Sequence, residues 1–197
     1  MLNPVLLVHG IDDTELIFTP LRAHLEEQGW TVHTLNLRPN NGDVGLDKLA
    51  AQVRDRADQL FAPSERFDLV GFSMGGIVSR YYVQRLGGLE RVERFITIAS
   101  PHHGTWMGFA RNNLGAAQMR PNSPFLRELN RDVATLEKVQ FTSLWTPYDL
   151  MIVPANSSEL PVGRNLQVPI LTHAWMINHP RSFQILTESL SAPLVKA

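Results

Sequence analysis

Residues Gly71-Phe72-Ser73-Met74-Gly75 set a hydroxyl between two glycines, directly after the run Asp68-Leu69-Val70 and directly before a segment suited to a helix. A turn this tight from strand to helix needs residues without Cβ atoms on both sides of the serine, because its two arms pass at contact distance. It lifts the Ser73 hydroxyl clear of the sheet and leaves backbone N–H groups beside it. The chemistry such a group suits is nucleophilic attack on an acyl carbon. Gly and Ser also mark ordinary turns, so the pentapeptide takes its meaning from the strand before it and the helix after it.

A serine hydroxyl is a poor nucleophile near neutral pH and needs a base within hydrogen-bond reach, which in turn needs an acceptor to hold its tautomer. On a strand–turn–helix elbow these partners follow in the order acid, then histidine. The acids after Ser73 are Glu90, Glu93, Glu128, Asp132, Glu137, Asp149, Glu159 and Glu188. Of these, Asp149 comes just past the C-terminal end of an expected strand, where ligands and catalytic groups gather in open α/β sheets. The alternative for Asp149 is a loop residue capping a turn. His173 follows the last expected strand and is favoured as the base; His179, just before Pro180, suits a helix start. His102 and His103 precede the acid, the wrong order. Donors for a tetrahedral oxyanion are expected from the N–H of Met74, after the nucleophile, and the N–H of Ile11 in the loop His9-Gly10-Ile11-Asp12-Asp13.

The elements that must position these groups alternate. Val5 to Val8 is a continuous apolar run, suited to a strand buried on both faces. A helix follows with Thr19 as N-cap, Pro20 at its first position and Gly29 as its stop. Thr31 to Leu37 reads as a strand. Leu46, Leu49, Val53, Ala57 and Leu60 step by three and four, the mark of a helix with one buried stripe. Phe67 to Val70 delivers Ser73, and a helix behind it closes at Gly87. Val92 to Ile98, Phe141 to Trp145 and Gln167 to Leu171 are further strands, and a last helix starts at Pro180. This alternation predicts a mostly parallel sheet of about six strands with helices on both faces.

The chain has 197 residues, 44% hydrophobic and 19% charged, with a formal net charge of −1. That suits one domain over 1–197, with no repeat or linker dividing it. No basic block predicts nucleic-acid binding or attachment to anionic lipid. The absence of cysteine excludes disulfides, thiolate metal sites and a cysteine nucleophile. The histidines lack the spacing of metal ligands, so no metal and no cofactor is expected. No segment is apolar for long enough to span a bilayer. The N-terminal apolar stretch lacks a basic n-region and runs straight into His9-Gly10, so it reads as a strand and not as a signal peptide, and a cytoplasmic protein is expected.

With these residues in place the sequence resembles the α/β-hydrolase superfamily, and within it the small bacterial triacylglycerol lipases and esterases. Val5-Leu6-Leu7-Val8-His9-Gly10-Ile11 resembles their oxyanion strand and loop, and Gly71-Phe72-Ser73-Met74-Gly75-Gly76 their nucleophile elbow. Ser100-Pro101-His102-His103-Gly104-Thr105 resembles the Thr/Ser-Pro-His-x-Gly-Thr segment of many lipases. Asp149-Leu150-Met151-Ile152-Val153 resembles the acid segment, and His173 with His179-Pro180-Arg181 a histidine loop leading into a helix that usually starts Asp-Pro. The resemblance implies an α/β-hydrolase fold in a minimal version, Ser73, Asp149 and His173 as a triad, Ile11 and Met74 as the oxyanion pair, and structural roles for His102 and His103. Members of this kind are often secreted, in contrast to the cytoplasmic location that the N-terminus suggests.

Residues 104–138 form a short apolar, lid-like insertion on the side where the site opens. Trp106, Met107 and Phe109 suit a substrate-binding wall for an acyl chain, and Ser123-Pro124 a helix start. Packing of the insertion on the sheet is the equal alternative. The expected function is hydrolysis of a small-molecule or lipid carboxylic ester through an acyl-enzyme, with transient contact with lipid surfaces. A thioesterase or acyltransferase would use the same triad, and a non-catalytic binding protein would keep only the fold.

Overall fold

A computed structural model describes residues 2–194. Its centre is a six-stranded sheet in the order β2-β1-β3-β4-β5-β6, every neighbouring pair parallel. The strands are β1 Val5–Val8, β2 Val32–Leu35, β3 Phe67–Phe72, β4 Val92–Ile98, β5 Gln140–Trp145 and β6 Arg164–Gln167. The helices are α1 Thr19–Glu27, α2 Leu46–Leu60, α3 Met74–Arg85, α4 Leu114–Gln118, α5 Pro124–Arg131 and α6 Pro180–Ser191.

Side chains alternate across a strand, so a strand buried on both faces feeds two cores. Leu6 and Val8 of β1 and Leu69 of β3 enter one core with residues of α2, α3 and α5. Val5 and Leu7, with Val70 and Phe72 of β3, enter the other, against α1 and α6. The helices thus cover both faces, as the sequence pattern predicts. Strand register decides which residues can meet beyond the sheet. Val8 pairs with Gly71, Phe72 with Ile98, Ile98 with Leu144, and Trp145 with Gln167, so the strand ends line up along one rim.

Three expectations need correction. Thr19 is the first residue of α1 and not its N-cap, because a 3₁₀ turn, Glu15–Phe18, runs directly into the helix; its hydroxyl instead donates to the Leu16 carbonyl at 2.8 Å. The second strand stops at Leu35, although Leu37 is buried beyond its end. The last strand lies at Arg164–Gln167 and not at Gln167–Leu171. It is an edge strand of mostly exposed polar residues, so ladder hydrogen bonds and not hydrophobicity define it. Val168 and Ile170 bury their side chains just past its end, which is what the apolar pattern marked.

The opposite, amino-terminal rim is held by polar groups. The fully buried Asp68 carboxylate accepts from Asn3 Nδ2 at 3.1 Å, from the Arg94 backbone N–H at 3.1 Å and from Arg94 Nη1 at 3.1 Å. Arg94 Nη2 also donates to the Ala192 carbonyl at 2.7 Å, tying β3 and β4 to the end of α6. Burial pushes the Asp68 carboxyl up, with Asn3 and Arg94 opposing. The cost of removing it therefore comes chiefly from the donors left without an acceptor. Asp68→Ala is expected to lower the unfolding free energy by about 3 kcal/mol, read as a urea midpoint shift; a loss under about 1 kcal/mol would refute the staple.

Candidate active site

The N–H of Ser73 donates to the Ile98 carbonyl at 2.8 Å, so the serine hangs from the end of β4 while its own strand ends at Phe72. Its backbone sits at φ 54°, ψ −124°, a conformation that costs a non-glycine residue about 1–3 kcal/mol and persists only when its surroundings impose it. The surroundings here are close-packed. A Cβ on Gly71 would lie 2.7 Å from the Gly75 carbonyl oxygen, and one on Gly75 would strike the carbonyl oxygens of Val8 and His9. The first turn of α3 can rest on the ends of β1 and β3 because both positions are glycine.

Asp149 and His173 meet at the same rim. Asp149 Oδ1 accepts the N–H groups of Met151 at 2.8 Å and Ile152 at 2.9 Å, and Oδ2 is 2.7 Å from His173 Nδ1. A carboxylate acceptor at Nδ1 makes that nitrogen the protonated one and leaves Nε2 with a free lone pair. Thr146 Oγ1 donates to the Ile170 carbonyl at 2.6 Å, fastening the Asp149 loop to the His173 loop. The Phe72 ring packs 5.0 Å from the His173 ring, which sets the imidazole beside the residue preceding Ser73. Ser73 makes no side-chain hydrogen bond to His173 here, an arrangement common before substrate binds.

His9 organises the loop after β1. Its Nε2 accepts the Leu37 N–H at 3.0 Å, so its Nδ1 carries the proton and donates to the Gly10 carbonyl at 2.8 Å. In a trans peptide the C=O and N–H point oppositely. Holding the Gly10 carbonyl toward His9 therefore aims the Ile11 N–H the other way. Among the described residues neither the Ile11 nor the Met74 N–H has a protein acceptor. Burial holds His9 below the usual histidine range, with the Gly10 carbonyl, Asp13 and Glu15 opposing, which keeps the ring neutral and this tautomer in place.

The insertion divides in two. Leu126 and Leu129 are buried in the core that also holds residues of α2 and α3, Arg80 Nη2 donates to the Leu129 carbonyl at 2.9 Å, and Ser123 caps α5 by accepting the Leu126 N–H. Trp106 (59% exposed), Met107, Phe109 and Leu114 stand in solvent, with the Trp106 and Phe109 rings stacked at 5.5 Å and the Arg120 guanidinium 4.7 Å over Phe109. Thr105 Oγ1 donates to the Met151 carbonyl at 2.8 Å and accepts the Val153 N–H at 3.0 Å, joining this half to the Asp149 loop. Arg111 pairs with Asp12 and so joins it to the β1 loop.

His179 Nδ1 accepts the Arg181 N–H at 3.1 Å and caps α6, its expected place. His102 is fully buried, its Nε2 2.9 Å from Thr97 Oγ1, and burial, with Arg80 and His103 behind it, holds it well below the usual histidine range. It acts as a structural neutral ring. His103 is exposed in the same loop, its N–H donating to the Ser157 carbonyl. Among the described residues no cluster of three or more His, Asp or Glu can hold a metal ion. The roles of His9, Thr105 and Thr146 are invisible in residue order. His9 and Thr105 belong to motifs that the sequence makes plain, yet a hydrogen bond to the backbone of another loop leaves no trace in spacing.

The family model for palmitoyl protein thioesterases matches residues 4–148. Palmitoyl-protein thioesterase 3 of Dictyostelium discoideum is 29% identical over 107 residues, 52% of this chain and 37% of that protein. A triacylglycerol lipase of Pseudarthrobacter phenanthrenivorans is 29% identical over 110 residues, 52% of this chain and 34% of that protein. The aligned stretch is thus little more than a third of each of these relatives. In three dimensions the Bacillus licheniformis lipase BlEst2 superposes with a TM-score of 0.80 at 17% identity, covering 97% of this chain and 93% of that one. The expected α/β-hydrolase fold is thereby established.

Gly75→Ala tests the packing at the elbow. A methyl group there must displace two backbone carbonyls, so the variant is expected to lose at least about 2 kcal/mol of stability, measured by thermal unfolding; an unchanged melting temperature would refute the close approach.

Proposed function

The chain belongs to the palmitoyl protein thioesterase family, and we propose that it hydrolyses acyl esters through a covalent intermediate on Ser73. The observation that carries this reading is the 2.7 Å Asp149–His173 hydrogen bond at the rim from which Ser73 projects. Ser73 Oγ attacks the acyl carbonyl as His173 Nε2 takes its proton, and the Asp149 carboxylate stabilises the resulting imidazolium. The oxyanion accepts the Ile11 and Met74 N–H groups, which are oriented before substrate arrives. Collapse expels the alcohol, protonated by His173. Water, deprotonated by the same imidazole, then attacks the acyl-serine and releases the acid.

Exposed Trp106, Met107 and Phe109, facing solvent with Leu150 (80% exposed) and Met151 of the Asp149 loop, support an apolar acyl group and transient contact with a lipid surface. A second reading, thioester hydrolysis, is favoured by the family match. The same steps serve it, with a thiolate-like leaving group in place of an alkoxide. Among the described residues no helix is long and apolar enough to cross a membrane.

A panel of p-nitrophenyl esters from acetate to palmitate, run beside acyl-CoA thioesters, decides between the two readings. Rising kcat/KM with acyl length on the oxygen esters supports the first, and a strong preference for thioesters moves the assignment to the second. His173→Ala should lower kcat by about 10⁴-fold or more while His179→Ala leaves it within a few-fold; the reverse pattern would make His179 the base. His9→Phe keeps a ring but releases the Gly10 peptide, and is expected to lower kcat by about 10²-fold with little change in KM. Loss confined to KM would separate His9 from the oxyanion site.

A further inference from the structure

We propose that Asp13 determines specificity at this same site: its carboxylate favours acyl esters and thioesters that carry a cationic group within a few ångströms of the scissile bond, and disfavours those carrying an anion there. The inference rests on Ser73 being the nucleophile.

The loop after β1 holds two adjacent acids with different surroundings. Asp12 is taken up by Arg111. Asp13 forms no ion pair with any Lys or Arg among the described residues. Its position is fixed by Gly10: the point where a Gly10 Cβ would lie is 2.9 Å from Asp13 Oδ2 and 3.0 Å from Ser73 Cβ. Both side chains therefore flank one glycine, and the carboxylate stands within one small group's width of the nucleophile. Asn40 Nδ2 donates to the Asp13 carbonyl at 2.5 Å, and Asp12 N–H donates to the Asn40 carbonyl at 2.9 Å, which hold the loop in this conformation.

The charged and titratable groups acting on Asp13 are His9 from the end of β1, His173 from the loop beyond β6, and Asp12 on its own loop. Glu15 acts in turn on His9. His9 is held neutral by burial, so it does not cancel the charge. His173 gains a positive charge when it takes the Ser73 proton. An ionised Asp13 thus gives the space above Ser73 a negative wall. A cation on the substrate a few ångströms from this wall gains roughly tenfold in binding at an intermediate dielectric. Burial pushes the Asp13 carboxyl up, with His9 and His173 opposing. A carboxyl raised in this way becomes neutral earlier on acidification, so the preference for cations is lost as pH falls.

The test compares butyrylcholine with its uncharged isostere, 3,3-dimethylbutyl butyrate. The ratio of their kcat/KM values is measured for wild type and Asp13→Asn, with active serines counted by a fluorophosphonate in each preparation. The expected ratio is about ten in wild type and near one in Asp13→Asn, whatever happens to the absolute rates. In wild type alone, needing no variant, the ratio should fall toward one as acidification neutralises the Asp13 carboxyl. A labelled, active wild type with a ratio near one, or a ratio unchanged by the substitution or by acid, overturns the role of Asp13 and leaves the ester reading standing. A wild type that neither labels nor turns over the uncharged ester overturns both.

Discussion

The molecule depends on one close approach. The first turn of α3 rests directly on the carbonyl groups that end β1, and nothing larger than a hydrogen atom fits between them at Gly75. This contact bends the chain sharply after Phe72, forces Ser73 into a positive φ, and leaves the Met74 N–H at a helix start, facing outward. Strain at a single residue is tolerated because two fully buried cores, one on each face of the sheet, hold the strands and helices that impose it. A looser elbow would relax the serine and lose the donor together.

The other site groups arrive on loops, which are free to move unless something ties them down. Each is tied by a polar contact that crosses from one loop to another. Thr146 joins the Asp149 loop to the His173 loop, Thr105 joins the insertion to the Asp149 loop, and His9 joins the Gly10 peptide to the chain leaving β2. The orientation of the imidazole therefore rests on these bonds as well as on the strand register. Burial keeps them strong, since a hydrogen bond shielded from water has no competing partner.

The parts legible in the sequence are those with a local cause. The apolar run Val5–Val8, the stripe from Leu46 to Leu60 and the glycines around Ser73 act through their own backbone or face, and each stands where the pattern puts it. Ser123 and His179 begin helices, as their positions before proline suggest. The apolar pattern misplaces the last strand because that strand is an edge, where polar residues pair and the neighbouring apolar residues tuck under the rim. Thr19 mimics a cap because a 3₁₀ turn extends the helix backward, and nothing in residue type distinguishes the two. The insertion is buried in one half and exposed in the other: α5 is fastened to α3 through Arg80 and Gln84, while the Trp106, Met107 and Phe109 side chains stay in solvent.

Asp149 and His173 stand out in the sequence by their order after Ser73 and by their nearness to strand ends, and the structure joins them by a hydrogen bond. Reaction of the folded protein with a fluorophosphonate, followed by intact mass and peptide mapping, asks directly whether Ser73 is an activated nucleophile. One adduct per chain is predicted, on Ser73, lost on unfolding and absent in Ser73→Ala. A folded protein that remains unmodified, or takes the label at another residue, would contradict a catalytic Ser73.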